Sequence, residues 1–471
     1  MLPEPALTFT IPSIHDGIPL DCRIYHPRSL GASSRAPSWR RHAAVLAHPY
    51  APLGGNFDDP VIETVGARIL SEGYLLGTFN FRWKPRWSEN CNWTTLADSS
   101  DRGAGHSAGK TSWTSKPERS DFQSVIAFMA YFIHHLQPSK SAETVTEDSN
   151  EPARNFDDAV NRHSADDLDH KNVLVIGGYS YGSLITAQLP PLEAILEPFA
   201  SPLSASNEAQ IRLRAASLAD QQNTLIRLTR ETFQAIDAKR SPSKRGVRVG
   251  GDEGAMSPRR RPRSTDGSSR RSLSGSRELE EKLHELVAKT KASLHHRHAS
   301  SETTLEQVPE ENGDRSLAME KQGTKEPAEG RLPRLVGFEV PQQAYVLVSP
   351  IPGLASHLVT MRLLPTALSR ARRPEEDPAE AKLVWHPTLA VHGDADMFVL
   401  PYKAREWVAR LTGAQKSRFQ GVEVPTAGHF WTEEGVMDKL IDVVGEFVHG
   451  LVADREANDE HVPEHIDSTE H

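Results

Sequence analysis

The segment Val173-Leu-Val-Ile-Gly-Gly-Tyr-Ser180-Tyr-Gly-Ser-Leu-Ile185 constrains this chain more than any other. A short apolar run ends in Gly178-Tyr179-Ser180-Tyr181-Gly182, and apolar residues resume behind it. The pattern predicts a strand, a sharp turn and a helix, with a serine at the tip. Glycines on both sides remove side chains that would clash in so tight a bend. The bend would lift one hydroxyl out of the backbone beside a helix N-terminus, the placement that acyl transfer requires. Gly-x-Ser-x-Gly also arises in ordinary glycine-rich loops, so its weight depends on a base, an acid and oxyanion donors in the right order.

Partners occur near the C-terminus. Pro387-Thr-Leu-Ala-Val391 reads as a buried strand and runs into His392-Gly393-Asp394-Ala395-Asp396. A carboxylate in a loop just past a strand can orient a histidine. Asp394 and Asp396 compete for that role. Asp394, next to Gly393, suits a turn-shaping aspartate; Asp396 is freer to point sideways and is favoured. Val422-Glu-Val-Pro-Thr-Ala-Gly428-His429-Phe430 then predicts a short strand and a loop carrying His429. Most of the 21 histidines should be solvated or packed. His429 stands out by its position after Ser180 and Asp396 and by its glycine neighbour. Ser, Asp, His is the chain order of one serine-hydrolase architecture and not of the others.

The N-terminal third supplies the remaining part. Ala43-Ala-Val-Leu-Ala47 is a buried strand that enters His48-Pro49-Tyr50-Ala51-Pro52-Leu53-Gly54-Gly55. Such a loop can aim backbone N–H groups inward. A tetrahedral intermediate needs two donors, here expected from the amides of Tyr181 and Tyr50. His48 reads as a structural turn histidine rather than a catalytic one.

These pieces resemble the α/β-hydrolase superfamily, in particular its small esterase branch with the dienelactone-hydrolase-type proteins. The resemblance rests on His48-Pro49 with Gly54-Gly55, Phe79-Asn80-Phe81-Arg82, Gly178 to Gly182, Gly393 to Asp396, and Gly428-His429. It covers roughly residues 5–82, 102–137, 171–190 and 340–452. It implies a mostly parallel eight-stranded sheet with helices on both faces, and Ser180, Asp396 and His429 at the triad positions. It also implies esters of small or medium acyl groups as substrates, although a fold does not fix a substrate.

One departure stands out. In that branch, a Gly-x-Gly-x-Ser-x-Gly run follows Phe-Asn-Phe-Arg at once. Here Arg102-Gly-Ala-Gly-His-Ser-Ala-Gly109 comes late, so residues 83–101 read as inserted. They hold three of the eight tryptophans and Cys91. They either cover the mouth of the site or are a gene-model artefact such as a retained intron, and the second reading is favoured. Ala104 to Thr111 also satisfies a relaxed phosphate-loop pattern. A true phosphate loop follows a strand directly and opens a helix at its Lys-Thr, whereas a helix is expected only from Pro117, so nucleotide binding is a remote alternative.

Composition excludes several classes. No run of about 18 apolar residues exists, so no membrane span is expected. The start Met-Leu-Pro-Glu-Pro lacks the basic and apolar stretches of a signal peptide. Two cysteines, Cys22 and Cys91, make no disulfide framework. A net charge of −9 argues against non-specific nucleic-acid binding. The expectation is a cytoplasmic serine hydrolase needing no cofactor and no metal, with a small-molecule ester as its partner.

The organisation expected is a core in two parts, 1–190 and 340–452, with an acidic loop at 138–170 and an acidic, disordered tail at 453–471. Val61, Val65 and Ile69 predict a helix. Phe122, Val125, Ile126, Met129, Phe132, Ile133 and Leu136 predict another with one apolar face. The block 191–339 reads as an insertion. It is helical at about 207–238, with a stripe of Leu213, Leu218, Leu225, Leu228 and Phe233. From about 239 to 334 it is too polar to offset its ordering entropy, apart from an isolated helix near 277–294. Within it, 257–277 is strongly basic. It reads as a solvated linker or, more sharply, as a partner-docking segment that phosphorylation would control. A non-catalytic scaffold binding its partner there is the competing functional class.

Overall fold

The computed structural model describes residues 1–31, 39–82, 107, 115–137, 172–240, 330–351 and 378–459. The expectations for 83–101, 138–170, 257–277 and 277–294 fall outside them, as does 460–471 of the tail expected at 453–471; residues 453–459 instead continue the last helix. By its contacts the chain forms one unit of Met1–Arg230 with Glu329–His471 and a second of Glu231–Ala328.

Eight strands form one sheet: β1 (Leu7–Pro12), β2 (Pro19–Tyr25), β3 (Ala43–Ala47), β4 (Leu75–Phe79), β5 (Val173–Tyr179), β6 (Gln342–Val348), β7 (Thr388–Gly393) and β8 (Phe419–Val424). Their order is β1-β2-β4-β3-β5-β6-β7-β8. β1 and β2 pair antiparallel, as do β2 and β4; every later pairing is parallel. The inner strands are apolar on both faces because helices cover both. β3 and β5 are buried at every residue.

Side chains of each strand alternate between two cores. Val45, Leu174, Ile176, Tyr345 and Leu347 face one; Leu46, Val173, Val175, Val346 and Val348 face the other. Helices α1 (Pro60–Ser71) and α8 (Val436–Asp459) cover the second face through Val61, Val65, Ile69, Val436, Leu440 and Val444. Asp59 caps α1 by accepting from the amides of Val61 at 2.9 Å and Ile62 at 3.4 Å, with Pro60 in the first turn. The first face carries α2 (Lys116–His135), α3 (Tyr181–Gln188), α4 (Leu192–Ala200), α5 (Asn207–Arg240), α6 (Pro378–Trp385) and α7 (Pro401–Thr412).

Two expectations change here. Helix α2 is buried without a break from Phe122 to Ile133 apart from Gln123, rather than along one face. The reason is that α4 packs on it, and Asn223 of α5 ties its C-terminus by accepting from the Gln137 amide at 2.9 Å and donating to the His135 carbonyl at 2.9 Å.

The block 191–339 is likewise not one inserted piece. Residues up to Arg230 and from Glu329 onward belong to the main unit. Leu192, Ile195, Leu196 and Phe199 of α4 are buried, as are Ile211, Ala215, Leu218, Ala219 and Ile226 of α5. Of the leucine stripe, Leu218 lies on this buried face and Leu225 and Phe233 are half-buried, whereas Leu213 is 54% exposed and Leu228 41%. Ala209, Ala215 and Ala219 make up part of the buried face of α5, and a pattern built on large side chains overlooks them. Arg212, itself buried, donates to the Phe199 and Ala200 carbonyls at 3.2 and 3.0 Å and to the Pro333 carbonyl. It thereby binds the end of α4 to the segment that leads into β6.

Candidate active site

The sheet order places the site. β3 lies between β4 and β5, so the chain leaves β3 to one side and returns to the other. Carboxyl ends of parallel strands at such a reversal open a crevice. Ala47 pairs with Gly178, which brings the loop after β3 beside the turn after β5.

That turn is the strand-turn-helix read from the sequence, with Ser180 between β5 and α3. Ser180 has φ 55° and ψ −111°, a strained conformation for a non-glycine residue. Neighbours hold it there. The Ser180 amide donates to the Val348 carbonyl at 2.9 Å, and Ser183 Oγ lies 2.8 Å from the Gly178 carbonyl oxygen and 2.6 Å from that of Val348. Gly182 permits the close approach of α3 to β3, because a Cβ on it would meet the Ala47 carbonyl oxygen at 2.1 Å.

Tyr181 opens α3, so its N–H is one of the orphan donors of a helix start. Tyr50 precedes a short 3-10 turn, Ala51–Leu53. Neither amide has an acceptor among the described residues. The two rings meet edge to face with centroids 5.1 Å apart, so both residues stand at the same end of the crevice. His48 is fully buried; its Nε2 accepts from the Phe81 amide at 2.8 Å, and its Nδ1 lies 2.6 Å from the Pro49 carbonyl oxygen. Both ring nitrogens are engaged in shaping the loop.

The loops after β7 and β8 bring up the other side chains. Gly393 must be glycine, since a Cβ there would lie 1.9 Å from the Ala427 carbonyl oxygen. Through this contact the two loops touch: the Ala395 amide donates to the Ala427 carbonyl at 3.1 Å. Asp394 Oδ1 accepts from the Thr426 amide at 2.6 Å and joins the loops. Asp396 turns inward instead. Its Oδ2 lies 2.7 Å from His429 Nδ1, and its Oδ1 accepts from the amides of Phe398 at 2.8 Å and Val399 at 3.0 Å. His429 Nε2 lies 2.8 Å from Ser180 Oγ. Ser180, Asp396 and His429 are all buried. Burial by itself would raise the Asp396 carboxyl; its hydrogen bond to His429, the charge there and the two amides outweigh that and hold it below its ordinary value.

Several supports carried no sequence signal. Tyr179 Oη donates to the His429 carbonyl at 2.8 Å, Trp431 Nε1 donates to Ser349 Oγ at 3.0 Å, and Glu433 Oε2 accepts from the Gly428 amide at 3.0 Å. All three fix the histidine loop, and all pair residues distant in sequence or within an irregular loop.

The Phe79 to Arg82 motif has a structural role. Asn80 Oδ1 accepts from the Phe57 amide at 2.9 Å. Arg82 grips Asp121 with Nε at 2.8 Å and Nη2 at 2.5 Å, and Asp16 with Nη1 at 2.8 Å. Ser107 Oγ donates to the Asn80 carbonyl at 2.8 Å and accepts from the Asp21 amide at 2.9 Å. The chain that leaves at Arg82 is thus back beside Asn80 by Ser107. The rest of 104–111 lies outside the described residues.

No family model matches this chain, and neither does any curated protein. Among solved structures, an α/β serine hydrolase without a lid from Xanthomonas campestris is 12% identical, covering 96% of each chain, with a TM-score of 0.36. An α/β serine hydrolase homologue from Coxiella burnetii is 11% identical over 95% of this chain and 99% of that one, with a TM-score of 0.34. Est1E from Butyrivibrio proteoclasticus is 11% identical over the same shares, with a TM-score of 0.35. Similarity at this level leaves the assignment to the molecule itself. A mixed eight-stranded sheet ordered 1-2-4-3-5-6-7-8, with a strained serine elbow after β5 at its carboxyl edge, is the α/β-hydrolase fold.

Proposed function

We propose that this chain is a serine hydrolase that cleaves carboxylic esters or thioesters, with Ser180 as nucleophile, His429 as base and Asp396 as its orienting acid. One observation carries the reading: a continuous buried line from Ser180 Oγ through both nitrogens of His429 to Asp396 Oδ2, with contacts of 2.8 and 2.7 Å.

Asp396 accepts a hydrogen bond from the Nδ1–H and so leaves Nε2 unprotonated, free to accept from Ser180. As Oγ attacks the carbonyl carbon, its proton passes to Nε2 and the imidazolium is stabilised by the Asp396 carboxylate. The carbonyl oxygen becomes an oxyanion facing the amides of Tyr50 and Tyr181. Loss of one such donor costs about 100- to 1000-fold in rate. Collapse breaks the bond to the alcohol or thiol, which leaves with the proton from Nε2. Water then attacks the acyl-Ser180 ester by the same steps, releasing the acid and restoring the serine. The strained elbow suits this role because it holds Oγ clear of its own backbone.

Exposure of the full-length protein to a fluorophosphonate probe tests the reading. Labelling is expected at Ser180 and is expected to vanish in Ser180→Ala. Labelling of that variant at the wild-type level would sink the assignment.

A further inference from the structure

Two large aromatic rings stand in the open beside His429. Phe398 is 52% exposed and Phe430 56%. Neither is stray. The Phe398 ring meets the imidazole at 4.7 Å between centroids and 64°, the Phe430 ring meets it at 5.6 Å and 90°, and the two phenyl rings meet at 5.8 Å and 86°. The two exposed phenyl rings meet nearly at right angles and form an open corner beside the imidazole, which is itself buried. The turn that orients the acid also orients the first ring, because the Phe398 amide is bound by Asp396 Oδ1. Met397, Leu400 and Tyr402, close to Phe398 along the chain, are also exposed. Exposed apolar rings in contact with the imidazole are placed where a bound substrate would meet them.

The chemistry says which part of a substrate meets that corner. This step rests on the hydrolase reading above. His429 Nε2 must deliver its proton to the departing oxygen, so that oxygen comes within hydrogen-bond reach of Nε2. Whatever is attached to it lies against the surroundings of the imidazole. The carbonyl oxygen points the other way, toward the amides of Tyr50 and Tyr181. We infer that Phe398 and Phe430 form the leaving-group subsite, and that the substrate is an ester whose alcohol half is apolar and bears a ring. Edge-to-face packing on such a corner favours a flat group over a chain of equal size.

Acetate esters of ethanol and benzyl alcohol give a clean test, since the two alcohols are similar in acidity and both esters form the same acetyl-enzyme. Wild-type protein is expected to prefer benzyl acetate in kcat/KM. Phe398→Ala and Phe430→Ala are each expected to lose at least about five-fold more on benzyl than on ethyl acetate, with Phe398→Tyr recovering most of the difference. A ring that merely steadied His429 would slow both esters alike, including hydrolysis of the shared acetyl-enzyme; equal losses therefore overturn the inference. So does a loss seen only with emulsified ester and absent below its solubility limit, which would assign the rings to a lipid surface. Fluorophosphonate labelling of Ser180 without any benzyl preference defeats the subsite alone. Absence of both labelling and hydrolysis defeats the hydrolase reading beneath it.

Discussion

A Cβ on Gly182 would lie 2.1 Å from the carbonyl oxygen of Ala47, so the first turn of the helix behind Ser180 rests directly on the end of β3. That single approach fixes the distance between the serine elbow and the Tyr50 loop. Gly182→Ala forces backbone to move, because the obstacle is a carbonyl and not a flexible side chain. Overpacking of this kind costs about 1–3 kcal/mol or more. The variant is expected to unfold at lower urea concentration and to label far more slowly with fluorophosphonate. Wild-type labelling kinetics would show that the contact does not position the site.

The two aspartates past β7 should separate cleanly. Asp396→Asn leaves an amide that cannot stabilise the imidazolium, and turnover is expected to fall by about 10⁴-fold. Asp394→Asn removes a carboxylate whose Oδ1 accepts from the Thr426 amide. An asparagine oxygen can still accept, so turnover is expected to stay within about ten-fold. Steady-state kinetics on one ester decides it; a reversed ranking would make Asp394 the acid.

His48 should make stability depend on pH. Burial pushes its imidazole down to about 4, against a smaller opposing effect of the Pro49 carbonyl. In the unfolded chain it titrates near its ordinary value of about 6.5. Between those values the unfolded state takes up a proton that the folded state refuses, so this group destabilises the fold as pH falls through the window. The slope is at most about 1.4 kcal/mol per pH unit. His48→Gln keeps an acceptor for Phe81 and a donor for Pro49 but does not titrate. Its urea midpoint is expected to rise relative to that of wild type as pH is lowered from 7 to 4.5. Parallel curves would refute the burial argument.

Arg82 and Asp121 form a buried ion pair. Removing one partner strands the other charge. Arg82→Met and Asp121→Leu are each expected to cost about 3–5 kcal/mol, and the double variant distinctly less than their sum. Equilibrium unfolding of all four proteins measures the coupling. Additive losses would mean that Asp16 and Ser13 hold the arginine unaided.

What the sequence determined by itself was local. Short continuous apolar runs set the inner strands, Gly178 to Gly182 set the elbow, and the order Ser180, Asp396, His429 set the candidate triad, because each depends on neighbours along the chain or on their sequence order. The preference for Asp396 over Asp394 was legible only as a preference; the contact of Gly393 with Ala427 decided where each carboxylate points. Helix α5 was legible as a helix but not in its buried face, because Ala209, Ala215 and Ala219 on that face are not marked by a pattern of large side chains. The corner of Phe398 and Phe430 beside His429 left no trace in the sequence at all. A ring's exposure and its angle to another ring are properties of two loops meeting at the end of the sheet, and only tertiary structure brings those loops together.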